Sequence, residues 1–427
     1  MTQHEETKEV HEMKTFRRFV WIVVLLLASV LPASVATAER YFELPIDWTG
    51  TLNGAPFRIR VPENWNGTLL VFAHGYGRWP EPAVAPPPIP VEEQLLALGY
   101  AMAGSAFRNP GMSIKEGIQN TLALTGYFRG HVGSPDRVIL WGFSMGGLIT
   151  QASIEKYPGI YDAGIPMCAT SAGMTKAGDW YLTPMLAYDA AFGWPEAWGS
   201  VGDVRDDLVF DDDVAPVFMP QLMNPANYGL FEFIRLVSDL PAASFYPPIG
   251  NVAGAMFFAT EGRAEMEVRA GGPPFQNVGH VYTLSEDEID YLNGLGVDAE
   301  GLLATMNAQT EIEAWRPARH YMERYADLSG KIKRPVLSVH TTADGICPVF
   351  MESAYRETVA AAGQEDMLVQ VYTDGVGHCA FTPQQILDVF AAMEYWLDTG
   401  TPPDDSFFAG EGFLSGYEPL PWPQPVQ

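Results

Sequence analysis

The sequence predicts an α/β fold built on a mostly parallel central sheet flanked by helices, and three observations carry that expectation. Short apolar runs alternate with helical periodicities from about residue 55 to 170, and the rhythm resumes from 334 to 398. Between these stretches it breaks off, so the sheet is expected to be interrupted by a large inserted cap, or lid, domain over residues 171–333. A Gly-x-Ser-x-Gly segment at 142–146 lies between a strand-like run and a helix-like one, where a chain turns sharply from strand into helix.

Residues 1–38 read as an export signal. Lys14, Arg17 and Arg18 precede an apolar run from Phe19 to Leu31, and Ala36-Thr37-Ala38 supplies a small-residue cleavage pattern. The alternative is an uncleaved N-terminal anchor, since the run approaches membrane-spanning length. No later segment is long and apolar enough to span a bilayer, so the exported chain is expected to be secreted or periplasmic.

The first part of the core, residues 39–170, begins with strands at Ala55–Val61 and Thr68–Ala73, the second ending in His74-Gly75-Tyr76-Gly77. A short helix at Val91–Leu98 leads to a strand at Tyr100–Phe107. Ile114, Ile118 and Leu122 recur every four residues, which puts one helical face against the sheet. A buried strand at Arg137–Phe143, a helix at Met145–Tyr157 and a strand at Ala163–Ala169 follow. Strands joined this way through helices must run mostly parallel. In the insertion, Trp180, Tyr181, Tyr188, Phe192, Trp194 and Trp198 crowd the first part, and Glu286–Leu303 and Ala308–Tyr325 look helical. The aromatics suit either an acyl or aromatic-ring pocket or a core of the cap's own. The second part of the core, 334–400, brings a strand at Pro335–His340, a helix at Val349–Ala362, a strand at Met367–Tyr372 and a helix at Gln384–Leu397. Residues 401–427 form an irregular strap rich in proline and glycine.

With 47% hydrophobic residues the chain is globular, and its formal charge of −27 excludes nucleic acid as a partner because phosphates would repel it. The same acidity disfavours anionic lipid surfaces. It says nothing about the number of subunits.

The chemistry centres on Gly142-Phe143-Ser144-Met145-Gly146-Gly147. A turn this tight excludes side chains at the flanking positions and lifts the serine hydroxyl above the sheet edge at a helix N-terminus. A serine hydroxyl is a weak nucleophile and needs a base that is itself oriented by an acid. His378 follows the last strand on a glycine-rich loop, Gly375-Val376-Gly377, that can carry an imidazole over the serine. Asp344 follows the strand Pro335–His340 and can hold the imidazole tautomer. Asp374 is a rival acid, but it lies on the same loop as His378, and turn formation beside Gly375 suits it better. His340, within a strand, reads as a core residue.

Together Gly142–Gly147, Asp344 with Pro348 four residues on, and Gly377-His378 resemble the α/β-hydrolase superfamily of serine hydrolases, in particular secreted esterase- and lipase-like members. The resemblance covers roughly 41–170 and 334–398 and leaves out the insertion. It implies an α/β-hydrolase fold, with Ser144 as nucleophile, His378 as base and Asp344 as acid. It also implies an oxyanion hole from the backbone N–H groups of Met145 and Tyr76.

If that constellation is correct, the acid and base loops are neighbours. A Cys347–Cys379 disulfide tying them together is then expected in an exported protein, the alternative being two free thiols. Cys168 reads as a buried apolar residue. Three cysteines without ligand spacing call for no zinc, and no cofactor or other metal is implied. The acidic run Asp203, Asp206, Asp207, Asp211, Asp212 and Asp213 is either a calcium-binding loop or, better, a solvated one. The expected activity is hydrolysis of carboxylic esters, small or polymeric, through an acyl-enzyme. An amide-cleaving enzyme with the same triad is the alternative, and a non-catalytic binding protein on the same scaffold is disfavoured by the intact triad.

Overall fold

In a computed structural model, which describes residues 43–77, 86–244, 249–309 and 311–422, eight strands form one sheet. They are β1 (Ile46–Leu52), β2 (Ala55–Val61), β3 (Thr68–Ala73), β4 (Ala101–Ser105), β5 (Arg137–Phe143), β6 (Ala163–Met167), β7 (Val336–Ala343) and β8 (Leu368–Val376). Their spatial order is β1-β2-β4-β3-β5-β6-β7-β8. β1 pairs antiparallel with β2, and β2 with β4, while every pairing from β4 through β8 is parallel. The export signal lies outside the described residues, as do residues 423–427 of the strap.

The central strands are apolar throughout because both faces of a parallel sheet are covered. Side chains alternate between the faces. Leu69, Val71, Val138 and Leu140 pack with Leu124 and Phe128 of α2 (Ile114–His131). Leu70, Phe72, Ile139 and Trp141 pack instead with Leu95 of α1 (Glu92–Ala97) and with Val389, Phe390 and Trp396 of the helix Pro383–Thr399. α3 (Met145–Lys156) follows β5 directly. β1 has no counterpart in the sequence reading. It joins β2 through Asn53 and Gly54, both at positive φ, the two-residue Asn-Gly hairpin turn that matches strand twist.

Between β6 and β7 the described residues contribute helices and turns but no named strand: α4 (Met174–Phe192), α5 (Ala215–Leu222), α6 (Tyr228–Val237), α7 (Ile249–Phe257), α8 (Arg263–Ala270), α9 (Glu286–Gly294), α10 (Ala299–Asn307) and α11 (Arg316–Tyr325). The single helix expected over 286–303 is two. Gly296, at φ 80°, turns the chain after α9, and Asp298 then caps α10 by accepting from the Gly301 amide. The helix expected from 308 begins only at Arg316. Two further helices complete the core, α12 (Met351–Ala361) and α13 (Pro383–Thr399), the latter opened by a reciprocal Thr382/Gln385 capping box. Among the described residues no helix is long and apolar enough to cross a membrane.

The inserted helices do not build an isolated core. Ile118, Met145, Leu148 and Ile149 of α2 and α3 belong to one apolar cluster with Trp180, Tyr181, Met185, Phe218, Phe233 and Phe275. Phe275 is fully buried and lies against Gly178 of α4, where an added Cβ would come within 1.9 Å of its ring. Phe275→Ala should therefore cost about 3–5 kcal/mol. Thermal unfolding of that variant, followed by calorimetry, should remain a single transition at lower temperature. A second, separate transition would show the insertion to be an independent folding unit.

Candidate functional site: a serine turn, an aspartate–histidine pair and a disulfide

Ser144 lies at φ 57° and ψ −123°, a conformation that L residues rarely adopt, and it is the residue preceding the first turn of α3. What holds it there is the close approach of three backbones. A Cβ on Gly142 would come within 2.3 Å of the Ala73 carbonyl oxygen, and one on Gly146 within 2.0 Å of the same atom. The Ser144 amide donates to the Met167 carbonyl at the end of β6 (3.0 Å), which fixes the turn from the other side. The side chain is nearly closed off, with the residue 9% exposed.

Facing this turn is the segment His74-Gly75-Tyr76. Gly75 packs directly on the serine, since a Cβ there would sit 3.3 Å from Ser144 Cβ. Ser144 is thus enclosed between the Gly75–Tyr76 segment and the first turn of α3. His74 is buried, its ring stacked on Phe107 at 3.9 Å and its Nδ1 2.7 Å from the Gly75 carbonyl. Burial pushes its pKa down, so it is a neutral shaping residue. Tyr76 reaches into the insertion. Its hydroxyl lies 2.9 Å from Glu261 Oε1 and 2.9 Å from Glu265 Oε1, and these carboxylates also accept from the Phe210 and Met112 amides, each at 2.7 Å. Glu261 sits on a π-helical turn, Phe258–Gly262, beside α7. Phe257 and Phe258 meet the Tyr76 ring edge-on at 5.6 and 5.5 Å.

Asp344 and His378 come together as the sequence suggests. His378 Nδ1 donates to Asp344 Oδ2 at 2.6 Å, and Asp344 Oδ1 accepts from the Ile346 and Cys347 amides at 2.8 and 2.9 Å. The carboxyl is fully buried, and burial raises its pKa. The opposing charge of, and hydrogen bond from, His378, the charge of His340 and the Cys347 amide outweigh that effect and hold the carboxyl below its ordinary 3.8. Its contribution to stability is thus complete above that pH and is lost only as acid protonates it at a still lower value. His378 Nε2 is buried and has no hydrogen-bond partner among the described residues. The insertion braces the acid loop: Tyr181 donates its hydroxyl proton to the Ile346 carbonyl at 2.7 Å, and a Cβ on Gly254 of α7 would come within 2.9 Å of the Ile346 side chain. Asp374 lies away from this pair, its amide donating to the Gly412 carbonyl of the strap.

The expected Cys347–Cys379 bridge is not what forms. Cys379 is joined to Cys168, with Cα atoms 5.3 Å apart, and Cys347 is a buried free thiol. The sheet order explains the difference. The base loop leaves β8 and has to cross the ends of β7 and β6 to bring His378 toward Ser144 at the end of β5. Cys379, next in the chain, therefore meets Cys168 directly after β6. Cys347 is drawn the other way: its amide caps Asp344, and its sulfur lies 3.4 Å from Thr170 Oγ1 and close enough to Ser144 to feel its hydroxyl. Burial, then the Asp344 charge, push that thiol well above its ordinary pKa, so it stays protonated.

Of the insertion's aromatics, Tyr188 and Trp198 are fully buried in the apolar cluster shared with α2 and α3, with Phe192 and Trp194 packed around them. In the acidic run, Arg205 pairs with Asp207 and Asp213, both at 2.6 Å. Glu261 and Glu265, which contact the Tyr76 hydroxyl, belong to no motif and were invisible in the sequence, and Tyr181, which braces Ile346, stood out there only as one of the insertion's aromatics.

Peptide mapping without reductant should recover a Cys168–Cys379 cross-linked pair and Cys347 as the one alkylatable thiol after denaturation. In the chain-entropy model a closed loop of this length contributes about 5 kcal/mol, so Cys168→Ala should lower the melting temperature substantially. A Cys347–Cys379 peptide in the map would overturn the assignment.

No model of a known protein family matches the chain. It is 24% identical to the o-phthalyl amidase of Xanthobacter agilis, over 90% of this chain and 93% of that one. Among solved structures, feruloyl esterase B from Aspergillus oryzae is 16% identical with a TM-score of 0.43, covering 83% of this chain and 80% of that one. The acylaminoacyl peptidase of Pyrococcus horikoshii is 12% identical with a TM-score of 0.43; the match covers 87% of this chain but only 43% of the peptidase. The sheet order, the strained serine turn after β5 and the aspartate–histidine pair after β7 and β8 are features of this chain itself, and in them the chain shows the α/β-hydrolase fold.

Proposed function

We propose that the protein is an exported serine hydrolase that opens carboxylic acyl bonds through an acyl-enzyme, with Ser144 as nucleophile, His378 as base and Asp344 as orienting acid. The observation that carries this reading is the 2.6 Å hydrogen bond from His378 Nδ1 to the buried Asp344 carboxylate. With its proton on Nδ1, the neutral ring keeps its lone pair on Nε2, the nitrogen a serine hydroxyl needs as acceptor. Ser144 Oγ would attack the acyl carbon while its proton passes to Nε2. The oxyanion that forms would accept from the Met145 and Tyr76 amides. Collapse breaks the bond to the leaving group, which takes the proton from His378. Water then attacks the acyl-enzyme with the same base, releasing the carboxylic acid and restoring Ser144.

The first reading of the scissile bond is a carboxylic ester, which has the better leaving group. A second reading, an amide, is supported by the full-length likeness to a protein named as an amidase acting on an o-phthalyl group. The rings of Tyr76, Phe257 and Phe258 beside the oxyanion turn suit a flat, aromatic acyl group under either reading. Export is supported by the apolar run Phe19–Leu31 with its small-residue ending, and by the disulfide.

A fluorophosphonate probe should label Ser144 alone, and Ser144→Ala should lower kcat by roughly six powers of ten with an unchanged melting temperature. Labelling that survives in Ser144→Ala would sink the nucleophile assignment. Matched aryl esters and anilides of benzoic and o-phthalic acids separate the two bond classes: kcat/KM should be higher for the esters. A reversal at equal acyl group would establish the amide reading.

A further inference from the structure

Behind the acid loop lies a second imidazole–carboxylate pair that the hydrolytic mechanism does not use. His340, on β7, and Glu352, on α12, are both fully buried. His340 Nε2 is 2.7 Å from the Cys347 carbonyl oxygen, and Nδ1 is 3.1 Å from Glu352 Oε1. Glu352 is surrounded by donors: Ser171 and Ser338 hydroxyls reach Oε1 at 2.6 and 3.0 Å, and Gln370 Nε2 reaches Oε2 at 2.6 Å. A carboxylate accepting so many bonds is ionised. A carbonyl and a carboxylate can only accept, so both imidazole nitrogens must donate, and a ring that donates from both nitrogens is a cation.

That cation is 3.8 Å from Asp344 Oδ2, the oxygen that takes the His378 proton donor. Glu352, His340 and Asp344 thus form a row of alternating charge that runs from α12 to the carboxylate holding His378. The other titratable groups packed around His340 are the Cys347 thiol and Tyr372, its register partner on β8, and burial pushes both up so that they stay neutral. Ser171 also accepts from Gln151 of α3 at 3.0 Å, so the network reaches the helix that begins at the serine turn.

We propose that protonated His340, held by Glu352, is a positioning residue that anchors the acid loop through the Cys347 carbonyl and restrains the basicity of His378 by sharing the charge of Asp344. The inference rests on the reading of Asp344 and His378 as acid and base. Its physical content is a balance. Asp344 alone in a dry site would raise the basicity of His378 strongly, and a base too strong stays protonated at neutral pH and cannot accept from serine. A cation on the far side of the carboxylate draws part of that charge away.

The pH behaviour of the pair agrees in sign. Burial lowers the His340 pKa, but Glu352, Asp344 and the Cys347 carbonyl outweigh it and leave it raised above 6.5. Its contribution to stability is complete below that pH and fades as pH climbs through the folded value. Burial raises the Glu352 pKa, and His340 with the two serines more than reverses this, leaving it below 4.5. That contribution is complete above 4.5 and is lost in stronger acid. The pair is at full strength between the two.

Two measurements test the proposal. Histidine-selective ¹⁵N NMR of the wild-type protein should show His340 with protons on both ring nitrogens at pH 7; a neutral His340 there would overturn it. The pH dependence of fluorophosphonate labelling of Ser144 reports the protonation of the base without a known substrate. Its midpoint should move upward by roughly half a unit to one unit in Glu352→Gln, which leaves His340 neutral, and in His340→Gln. Ser338→Ala, which removes one donor from Glu352, should give a smaller shift in the same direction and serves if the other variants fail to fold. Normal labelling with an unmoved midpoint would refute the role of His340, whereas no labelling of wild-type Ser144 would refute the serine reading and leave the NMR result standing.

Discussion

Holding a non-glycine residue at the backbone angles of Ser144 costs on the order of 1–3 kcal/mol, and the surroundings must impose it. Here they do so by denying space: the ends of β3 and β5 and the start of α3 meet so closely around the Ala73 carbonyl that neither Gly142 nor Gly146 could carry a Cβ. The parallel pairing of Ala73 with Gly142 sets that approach. Much else follows from it. The serine stands at the C-terminal end of the sheet, where the loops after β3, β7 and β8 also emerge. Residues far apart in the chain therefore meet there.

Most of the framework was legible because its periodicities are strong. The strand Arg137–Phe143 matches residue for residue, and the helices on both sheet faces lie within a few residues of expectation. β1 escaped because Ile-Asp-Trp-Thr-Gly-Thr-Leu is a half-exposed edge strand with mixed polarity, although Asn53-Gly54 beyond it was a usable hairpin signal. α4 escaped for the opposite reason. It is buried on nearly every side and contains Pro184, so it shows neither an amphipathic stripe nor an unbroken run of helix formers.

At the site, the serine, histidine and aspartate were each marked by a local motif, and the disulfide was not. Choosing among three cysteines requires knowing which strands the base loop crosses, and that information lies in the sheet order. Proximity of Asp344 to His378 is true of the molecule and still points to the wrong sulfur, because a carboxylate whose own loop amides cap it turns the following cysteine inward. The same limit hid Glu352 and His340. Each is an ordinary polar residue within a regular element, and only the stacking of α12 on β7 and β8 brings their polar atoms together.

The Cys168–Cys379 bond spans 211 positions, and the whole insertion lies between its ends. That stretch is therefore a covalent ring, from which an N-terminal and a C-terminal arm leave at neighbouring points. A protease that severs one exposed turn among the inserted helices opens the ring without dividing the molecule. Ser144 on one arm stays linked to His378, which lies within the ring one residue from its closing cysteine. Damage to the surface that covers the site is thus separated, by topology alone, from loss of the groups beneath it.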